Sequence, residues 1–232
     1  MIATTPDIDL LRFESGAMCF DPARIGRPGP ALFDPGNPAL QAVPVAVGGR
    51  QSAWFVSGEV GAAVLRHYRR GGLAARVSRD RYLWTGEPST RSFAEFRILQ
   101  LLHRQGLRVP APLAGAYWRA GPFYRAAILI ERIPEVSTLA EALEAPQAVA
   151  QAIFAMHEAG VWHADLNAYN ILLDKAGRAW LIDFDRARHG PVGRQARQSN
   201  LQRLRRSLDK VAGQRGLDCW AQIHRAYEAL SA

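Results

Sequence analysis

The stretch that decides the fold is His163-Ala164-Asp165-Leu166-Asn167-Ala168-Tyr169-Asn170. It follows a segment with helical periodicity and precedes two short apolar runs, the second of which ends in Asp183-Phe184-Asp185. An Asp and an Asn five residues apart in one loop, with another Asp at the end of a nearby strand, provide the oxygen donors that Mg²⁺ prefers. Isolated Asp and Asn residues in loops are more often turn formers. A magnesium site is therefore indicated only by the conjunction of these elements.

The order of helix, His-x-Asp-x-x-x-x-Asn, β-hairpin and Asp-Phe is similar to the catalytic core of the protein kinases. Phosphoryl transfer requires mainly the positioning of groups and the neutralisation of charge. We therefore predict that Asp165 is the catalytic residue, which accepts a hydrogen bond from a substrate hydroxyl. Asn170 and Asp183 are predicted to bind the Mg²⁺ that accompanies ATP. His163 is expected to position the loop without taking part in the chemistry.

Arg66 is the candidate contact to the ATP phosphates in the first half of the chain. It ends the apolar run Ala63-Val64-Leu65, at the place where kinases carry a lysine, whereas both lysines of this sequence lie beyond residue 170. A planar guanidinium could bind a phosphate and a carboxylate together. Glu95, on the following helix, is the predicted partner. The alternative for Glu95 is a capping box with Ser92, three residues earlier.

Gly48 and Gly49 are predicted to form the turn that covers the ATP phosphates, on the strength of their position between two strands. Two features depart from the protein-kinase pattern. Asp185 replaces the glycine of Asp-Phe-Gly, and could either face a metal or form an ion pair with Arg186 or Arg188. In addition, no Ala-Pro-Glu element follows Asp183, which favours a small or lipid-borne acceptor over a peptide.

The pattern of elements predicts an α+β class with a kinase-like two-lobe fold. Residues 43–133 should form a small lobe with an antiparallel β-sheet and one helix over 89–105, in which Phe93, Phe96, Leu99 and Leu102 recur every three residues. Residues 134–232 should form a reduced, mostly helical lobe that carries the catalytic loop, with one helix opened by Pro146 and two C-terminal helices at about 198–213 and 217–230. Residues 1–42, interrupted by Pro and Gly, are expected to be an irregular extension packed on the small lobe.

The composition of the chain limits the cellular location and the binding partners that we expect. The 232 residues carry 29 Lys and Arg against 21 Asp and Glu, a net charge of +8, which favours phosphates, nucleic acid or an anionic membrane surface. No apolar run approaches the roughly 18 residues that would span a bilayer, and the first residues lack the pattern of an export signal. Two cysteines without ligand-like spacing argue against a disulfide framework or a thiolate zinc site. We expect a cytoplasmic protein.

Several segments resemble the 3-deoxy-D-manno-octulosonic acid (Kdo) kinases, within the lipopolysaccharide-core sugar kinases of kinase-like fold. The resemblance covers about residues 16–210 and is most specific at the arginine-rich Gly-Gly stretch. The segments that carry it are Arg66-His67-Tyr68-Arg69-Arg70-Gly71-Gly72, Tyr82-Leu83-Trp84-Thr85-Gly86, Val109-Pro110-Ala111-Pro112, His163-Ala164-Asp165-Leu166-Asn167, Asp183-Phe184-Asp185 and Asn200-Leu201-Gln202-Arg203-Leu204-Arg205-Arg206-Ser207.

This resemblance implies ATP-dependent phosphorylation of the 4-hydroxyl of Kdo on a lipid A precursor, at the cytoplasmic face of a Gram-negative inner membrane, with Asp165 as the family's catalytic aspartate. Neither a nucleic-acid partner nor an obligate protein partner is expected. Three alternatives stay open: a heptose kinase, another small-molecule kinase of the same fold, and a catalytically silent glycolipid-binding module. Two basic groups are candidate contacts to anionic lipid, namely Arg69, Arg70, Arg76, Arg79 and Arg81, and Arg203, Arg205 and Arg206.

Overall fold

The computed structural model describes residues 8–45, 52–69 and 80–231. The chain divides into two compact units, one made of residues 1–97 and 111–132, the other of residues 98–110 and 133–232. The first is rich in antiparallel strands and the second is mostly helical, so the predicted α+β class is confirmed.

The first unit is built around an eight-stranded antiparallel sheet. Its strands are Asp9–Phe13 (β1), Gly16–Phe20 (β2), Val43–Pro44 (β3), Ala53–Val56 (β4), Ala63–His67 (β5), Tyr82–Leu83 (β6), Pro112–Ala120 (β7) and Phe123–Glu131 (β8). Along the sheet they run in the order β1-β2-β7-β8-β5-β4-β3, and β6 also pairs with β8. Strands β3, β4 and β5 form an antiparallel meander.

The expectation of an irregular extension over residues 1–42 is wrong for residues 9–20. Residues 9–20 form the hairpin β1–β2, and β2 pairs with β7 along its whole length, from Gly16 opposite Trp118 to Phe20 opposite Ala114. The rest of the segment contains the short 3₁₀ helices Pro30–Phe33 and Pro38–Leu40. Buried apolar side chains from this region then join the core of the sheet: Ile25, Phe33 and Leu40.

Helix α1, Arg91–Arg104, begins and ends close to the predicted bounds of 89 and 105. Its first turn packs directly on β7, because Gly115 has no side chain: a Cβ there would lie 3.1 Å from the carbonyl oxygen of Ser92. The Ser92 hydroxyl donates to the carbonyl of Ala116 at 2.8 Å. These contacts fix the helix that carries Glu95.

Besides residues 98–104 of α1, the described part of the second unit contains the helices Leu139–Ala142 (α2), Pro146–Glu158 (α3) and Arg194–Ser231 (α4). Pro146 opens α3, as predicted, and α3 packs against α4. Helix α4 has one non-helical residue, Gly213, and so corresponds to the two predicted C-terminal helices, 198–213 and 217–230. Its first part starts four residues earlier than expected.

Two small antiparallel sheets complete the second unit. Val136–Thr138 (β9), Ile171–Asp174 (β11) and Ala179–Leu181 (β12) form one, with β11 in the centre. Val161–Trp162 (β10) pairs with Arg188–His189 (β13) in the other. The hairpin β11–β12 is the one predicted between the catalytic loop and Asp183. Among the residues that the structure describes, no helix combines the length and apolar character needed to cross a bilayer.

Candidate active site

The catalytic loop, residues 163–170, is fixed at its start by the buried ring of His163. The Nδ1 atom of this ring accepts a hydrogen bond from the N–H of Asp165 at 3.0 Å. Nε2 lies 3.0 Å from the carbonyl oxygen of Ile182 and must therefore carry the proton, since Nδ1 is an acceptor. Burial lowers the pKa of His163, in agreement with a neutral ring. Both ring nitrogens thus position backbone, as expected from the sequence.

Asp165 is the most exposed member of the predicted catalytic set. Its side chain is 55% exposed, and its Oδ1 accepts a hydrogen bond from Nη1 of Arg203 at 3.0 Å. Its backbone carbonyl accepts hydrogen bonds from the side-chain amides of Asn170, at 2.9 Å, and Asn167, at 3.2 Å. Asn167 also accepts from the N–H of Tyr169, so its role is to shape the turn.

The hairpin β11–β12 brings the backbone of Asn170 next to that of Ile182, the residue before Asp183. In the register of β11 and β12, Ile171 lies opposite Leu181, and the N–H of Ile182 donates to the carbonyl of Asn170 at 3.1 Å. Asp183 then adopts a left-handed backbone, with φ of 61°. Few non-glycine residues take this conformation, and such residues cluster at active sites.

Phe184, the residue after Asp183, connects the backbone turn at Asp183 to the catalytic loop. Phe184 is fully buried, and its ring centroid lies 4.9 Å from that of His163. His163 is also hydrogen-bonded to Ile182, the residue before Asp183. The structure therefore brings together all three predicted oxygen-bearing residues of the second unit, Asp165, Asn170 and Asp183.

The donor set of Asn170 and Asp183 fits a Mg²⁺ ion that is bound mainly through a nucleotide. The amide nitrogen of Asn170 already donates to the carbonyl of Asp165, which leaves Oδ1 as its atom for a cation. Within the described ranges, no three His, Cys, Asp or Glu side chains are grouped so that they could hold a metal ion. Two protein ligands completed by phosphate oxygens and water are nevertheless typical of Mg²⁺.

Asn200, on α4, positions the loop from behind and was missed as a functional candidate. It is fully buried, accepts a hydrogen bond from the N–H of His163 at 3.2 Å, and donates to the carbonyl of His163 at 2.7 Å. Its Oδ1 also lies 3.0 Å from Nε2 of His157, whose Nδ1 is 2.7 Å from the hydroxyl of Tyr227. Burial lowers the pKa of His157 to about 4, so this ring is neutral.

Asn200 belongs to a stripe of α4 that contacts the catalytic loop at three points. Arg203, three residues on, binds the carboxylate of Asp165. Ser207, four residues further, accepts a hydrogen bond from the N–H of Ala168 at 3.1 Å. Residues spaced by three and four lie on one face of a helix. A signal in the sequence could have revealed this face, because Asn200 shares the i, i+4, i+8 spacing of the buried Leu204 and Leu208.

In the first unit, the structure brings Arg66 and Glu95 together. Nη2 of Arg66 lies 2.5 Å from Oε2 of Glu95, which also accepts from the hydroxyl of Tyr68 at 2.6 Å. Glu95 is 1% exposed and Arg66 is 21% exposed. Ser92 lies inside the helix, which begins at Arg91, so it is not the N-cap residue that a capping box requires. Its hydroxyl donates to β7 instead. A half-buried guanidinium that is oriented by a buried carboxylate suits the phosphate contact predicted for Arg66.

Some predicted residues lie outside the described part of the chain. These are Gly48 and Gly49 of the turn, and Arg70, Arg76 and Arg79 of the first basic group. In the second basic group, Arg203 binds Asp165 and Arg205 stacks over the ring of Trp220 at 5.5 Å.

Comparisons with known proteins show which family the chain belongs to. The model of the lipopolysaccharide kinase (Kdo/WaaP) family matches residues 39–227. The chain is 49% identical over 223 residues to a 3-deoxy-D-manno-octulosonic acid kinase of Xanthomonas axonopodis pv. citri, an alignment that covers 92% of this chain and 90% of the relative. The same figures hold for the enzyme of that name from Xanthomonas euvesicatoria pv. vesicatoria, and the one from Stenotrophomonas maltophilia is 48% identical with the same coverage. The chain belongs to the lipopolysaccharide kinase (Kdo/WaaP) family, whose members are phosphotransferases of kinase-like fold.

Proposed function

We propose that this protein is a Kdo kinase that transfers the terminal phosphate of ATP to the 4-hydroxyl of a Kdo residue on a lipid A precursor. The observation that carries the proposal is the hydrogen-bonded unit formed by the catalytic loop and the hairpin after it. Asp165, Asn170 and Asp183 are connected within it through the Asn170 amide and the Ile182 backbone. The names of the relatives supply the acceptor.

Asp165 is the catalytic residue in this proposal. Its carboxylate accepts a hydrogen bond from the acceptor hydroxyl and so directs the oxygen at the terminal phosphorus. A new bond forms between that oxygen and phosphorus, while the bond from phosphorus to the bridging oxygen of ADP breaks. The hydroxyl proton passes to Asp165 and then to solvent. Oδ2 is the carboxylate oxygen for this task, because Oδ1 accepts from Arg203.

Asn170 and Asp183 would hold Mg²⁺ through Oδ1 and the carboxylate. When bound, the ion neutralises charge on the phosphates. Arg66, fixed by Glu95, would bind a phosphate of ATP with its guanidinium, since a buried carboxylate partner restricts its orientation. Gly48 and Gly49 would cover the phosphates with backbone N–H groups. The roles of Asn170, Asp183 and Arg66 are supported by the chemistry of their side chains. The role of the two glycines is supported by their position in the chain.

We also propose that the protein acts as a peripheral protein at the cytoplasmic face of the inner membrane. The acceptor carries acyl chains and therefore resides in a bilayer. The net charge of +8 favours an anionic surface, because each basic residue near such a surface contributes about 1 kcal/mol of attraction. Binding to vesicles that contain anionic lipid should therefore weaken as salt is raised.

The function is tested with ATP that carries radioactive terminal phosphate. Lipid A precursor with Kdo and the same lipid without Kdo are supplied side by side, together with a heptose-bearing core acceptor. Transfer to the Kdo-bearing lipid alone, with the phosphate mapped to the 4-hydroxyl by NMR, is the expected result. Transfer to heptose would make the chain a heptose kinase. Lipid binding without any transfer would identify a silent module and overturn the proposal.

A further inference from the structure

The contact between Arg203 and Asp165 places a cation beside the catalytic carboxylate. The catalytic loop itself contains no Lys or Arg between residues 163 and 170, so this charge comes from α4. Arg203 lies between two residues whose positions are fixed, Asn200 and Ser207, both of which hydrogen-bond to the loop. The base of the Arg203 side chain is therefore held by a rigid part of the fold.

The pair retains capacity to bind a ligand. Its hydrogen bond uses Nη1 of the guanidinium, which has five N–H donors in one plane. The side chain of Arg203 is 45% exposed and that of Asp165 is 55% exposed. A pair this accessible contributes little to folding stability. The remaining N–H donors of Arg203 can bind a second anionic group without breaking the hydrogen bond to Asp165.

We propose that Arg203 is a specificity-determining residue that binds the carboxylate of the sugar-acid acceptor. The inference rests on the proposed function, in which the acceptor is the acid form of a sugar. To deliver its hydroxyl to Asp165, such an acceptor must bring a second carboxylate close to the first, and the two negative charges repel each other. A guanidinium between them offsets this repulsion and can bind both, since its planar donor arrangement matches carboxylate oxygens.

The test uses two matched acceptors on the same lipid, one with the free carboxylate of Kdo and one with its methyl ester. For each enzyme the quantity measured is the ratio of kcat/KM for the acid to kcat/KM for the ester. A fraction of misfolded enzyme lowers both values equally, so the ratio is insensitive to it. Wild type should prefer the acid by about 10- to 100-fold, as expected for a charge-assisted hydrogen bond. Arg203→Ala should bring the ratio close to one.

Two further variants keep the measurement interpretable. Arg203→Lys retains a positive charge beside Asp165 but loses the planar donors, so it should keep measurable activity and an intermediate ratio. Arg215→Ala removes one exposed arginine from the same helix beyond the Gly213 kink, and should keep the wild-type ratio.

The outcomes separate this inference from the proposed function. An unchanged ratio in both Arg203 variants would overturn the inference, as would a raised KM for ATP with the acid preference intact, which would assign Arg203 to the nucleotide. Equal wild-type rates on acid and ester would also overturn it while leaving the kinase function in place. Transfer to neither acceptor by wild type would instead contradict the proposed function, and with it this inference.

Discussion

Asn200 and His163 are joined by two hydrogen bonds, one in each direction, although they are 37 residues apart in sequence. The side chain of Asn200 satisfies both the N–H and the carbonyl of His163, and both residues are fully buried. Helix α4 is therefore connected to the catalytic loop two residues before Asp165. The position of the Asp165 carboxylate, the proposed catalytic group, therefore depends on a residue for which we propose no chemical role.

Replacement of Asn200 by Ala should destabilise the protein by about 3 kcal/mol or more. The substitution leaves three buried groups without their partner, the N–H and carbonyl of His163 and the Nε2–H of His157, and each such group costs about 1–3 kcal/mol. The measurement is urea unfolding at pH 7.5. Gln214→Ala, which removes an exposed contact to Asp218 on the same helix, should cost less than about 0.5 kcal/mol. A loss below 1 kcal/mol for Asn200→Ala would mean that the network does not stabilise the loop.

The buried ring of His157 should make stability fall as the medium becomes acidic. Burial lowers its pKa to about 4 in the folded state, whereas the unfolded chain has an ordinary value near 6.5. The unfolded state thus binds the proton more readily, so stability is complete above the unfolded pKa and is lost as the pH falls from about 6.5 towards 4. Between pH 7 and pH 5 the loss from this group is on the order of 2 kcal/mol.

The test of this dependence is urea unfolding of wild type and His157→Gln across the same pH range. The variant has no titrating ring, so its stability should change less than that of wild type by on the order of 2 kcal/mol. Carboxylates titrate equally in both proteins and cancel in the comparison. Parallel curves would show that His157 is not the source of acid sensitivity.

The ion pair of Arg66 and Glu95 should respond strongly to a change that preserves charge. Arg66→Lys keeps the positive charge but loses the planar guanidinium, which contacts Glu95 and lies over the ring of Tyr68 at 5.1 Å. We expect the KM for ATP to rise by about tenfold, the equivalent of about 1.4 kcal/mol. Steady-state kinetics with varied ATP measure this.

The matched control is Arg24→Lys, which makes the same change at the exposed pair of Arg24 and Glu131 in the same unit. It should leave the KM for ATP within experimental error of wild type. An Arg66→Lys enzyme with wild-type kinetics would show that guanidinium geometry is irrelevant at this position.

The elements that the sequence predicts well are those with local signals. The catalytic loop is a contiguous motif, helix α3 begins with Pro146 and carries a regular apolar face, and the hairpin β11–β12 consists of two short apolar runs around a turn. The pairing of Arg66 with Glu95 followed from the order of a strand and a helix. In the first three cases neighbouring residues contain the information, whereas Arg66 and Glu95 are 29 residues apart and were paired from the order of elements that is typical of protein kinases.

The features that escaped prediction depend on distant partners. Strand β2 has a run of buried residues without alternation, and its partner β7 lies about a hundred residues further along the chain. The contacts from α4 to the catalytic loop join residues 37 to 39 positions apart. In the sequence, Arg203 is only one member of a basic group. Its position in the fold shows that it binds Asp165.

The most direct test of the central claim is phosphoryl transfer by Asp165→Asn, measured together with ATP binding. The amide has nearly the same shape as the carboxylate but cannot accept the hydroxyl proton in the same way. We expect transfer to the Kdo-bearing lipid to fall by at least about 100-fold, the usual contribution of an acid–base residue, while the affinity for ATP stays within about threefold of wild type. Retention of transfer by this variant would contradict the assignment of Asp165 as the catalytic residue, and with it the account of the site.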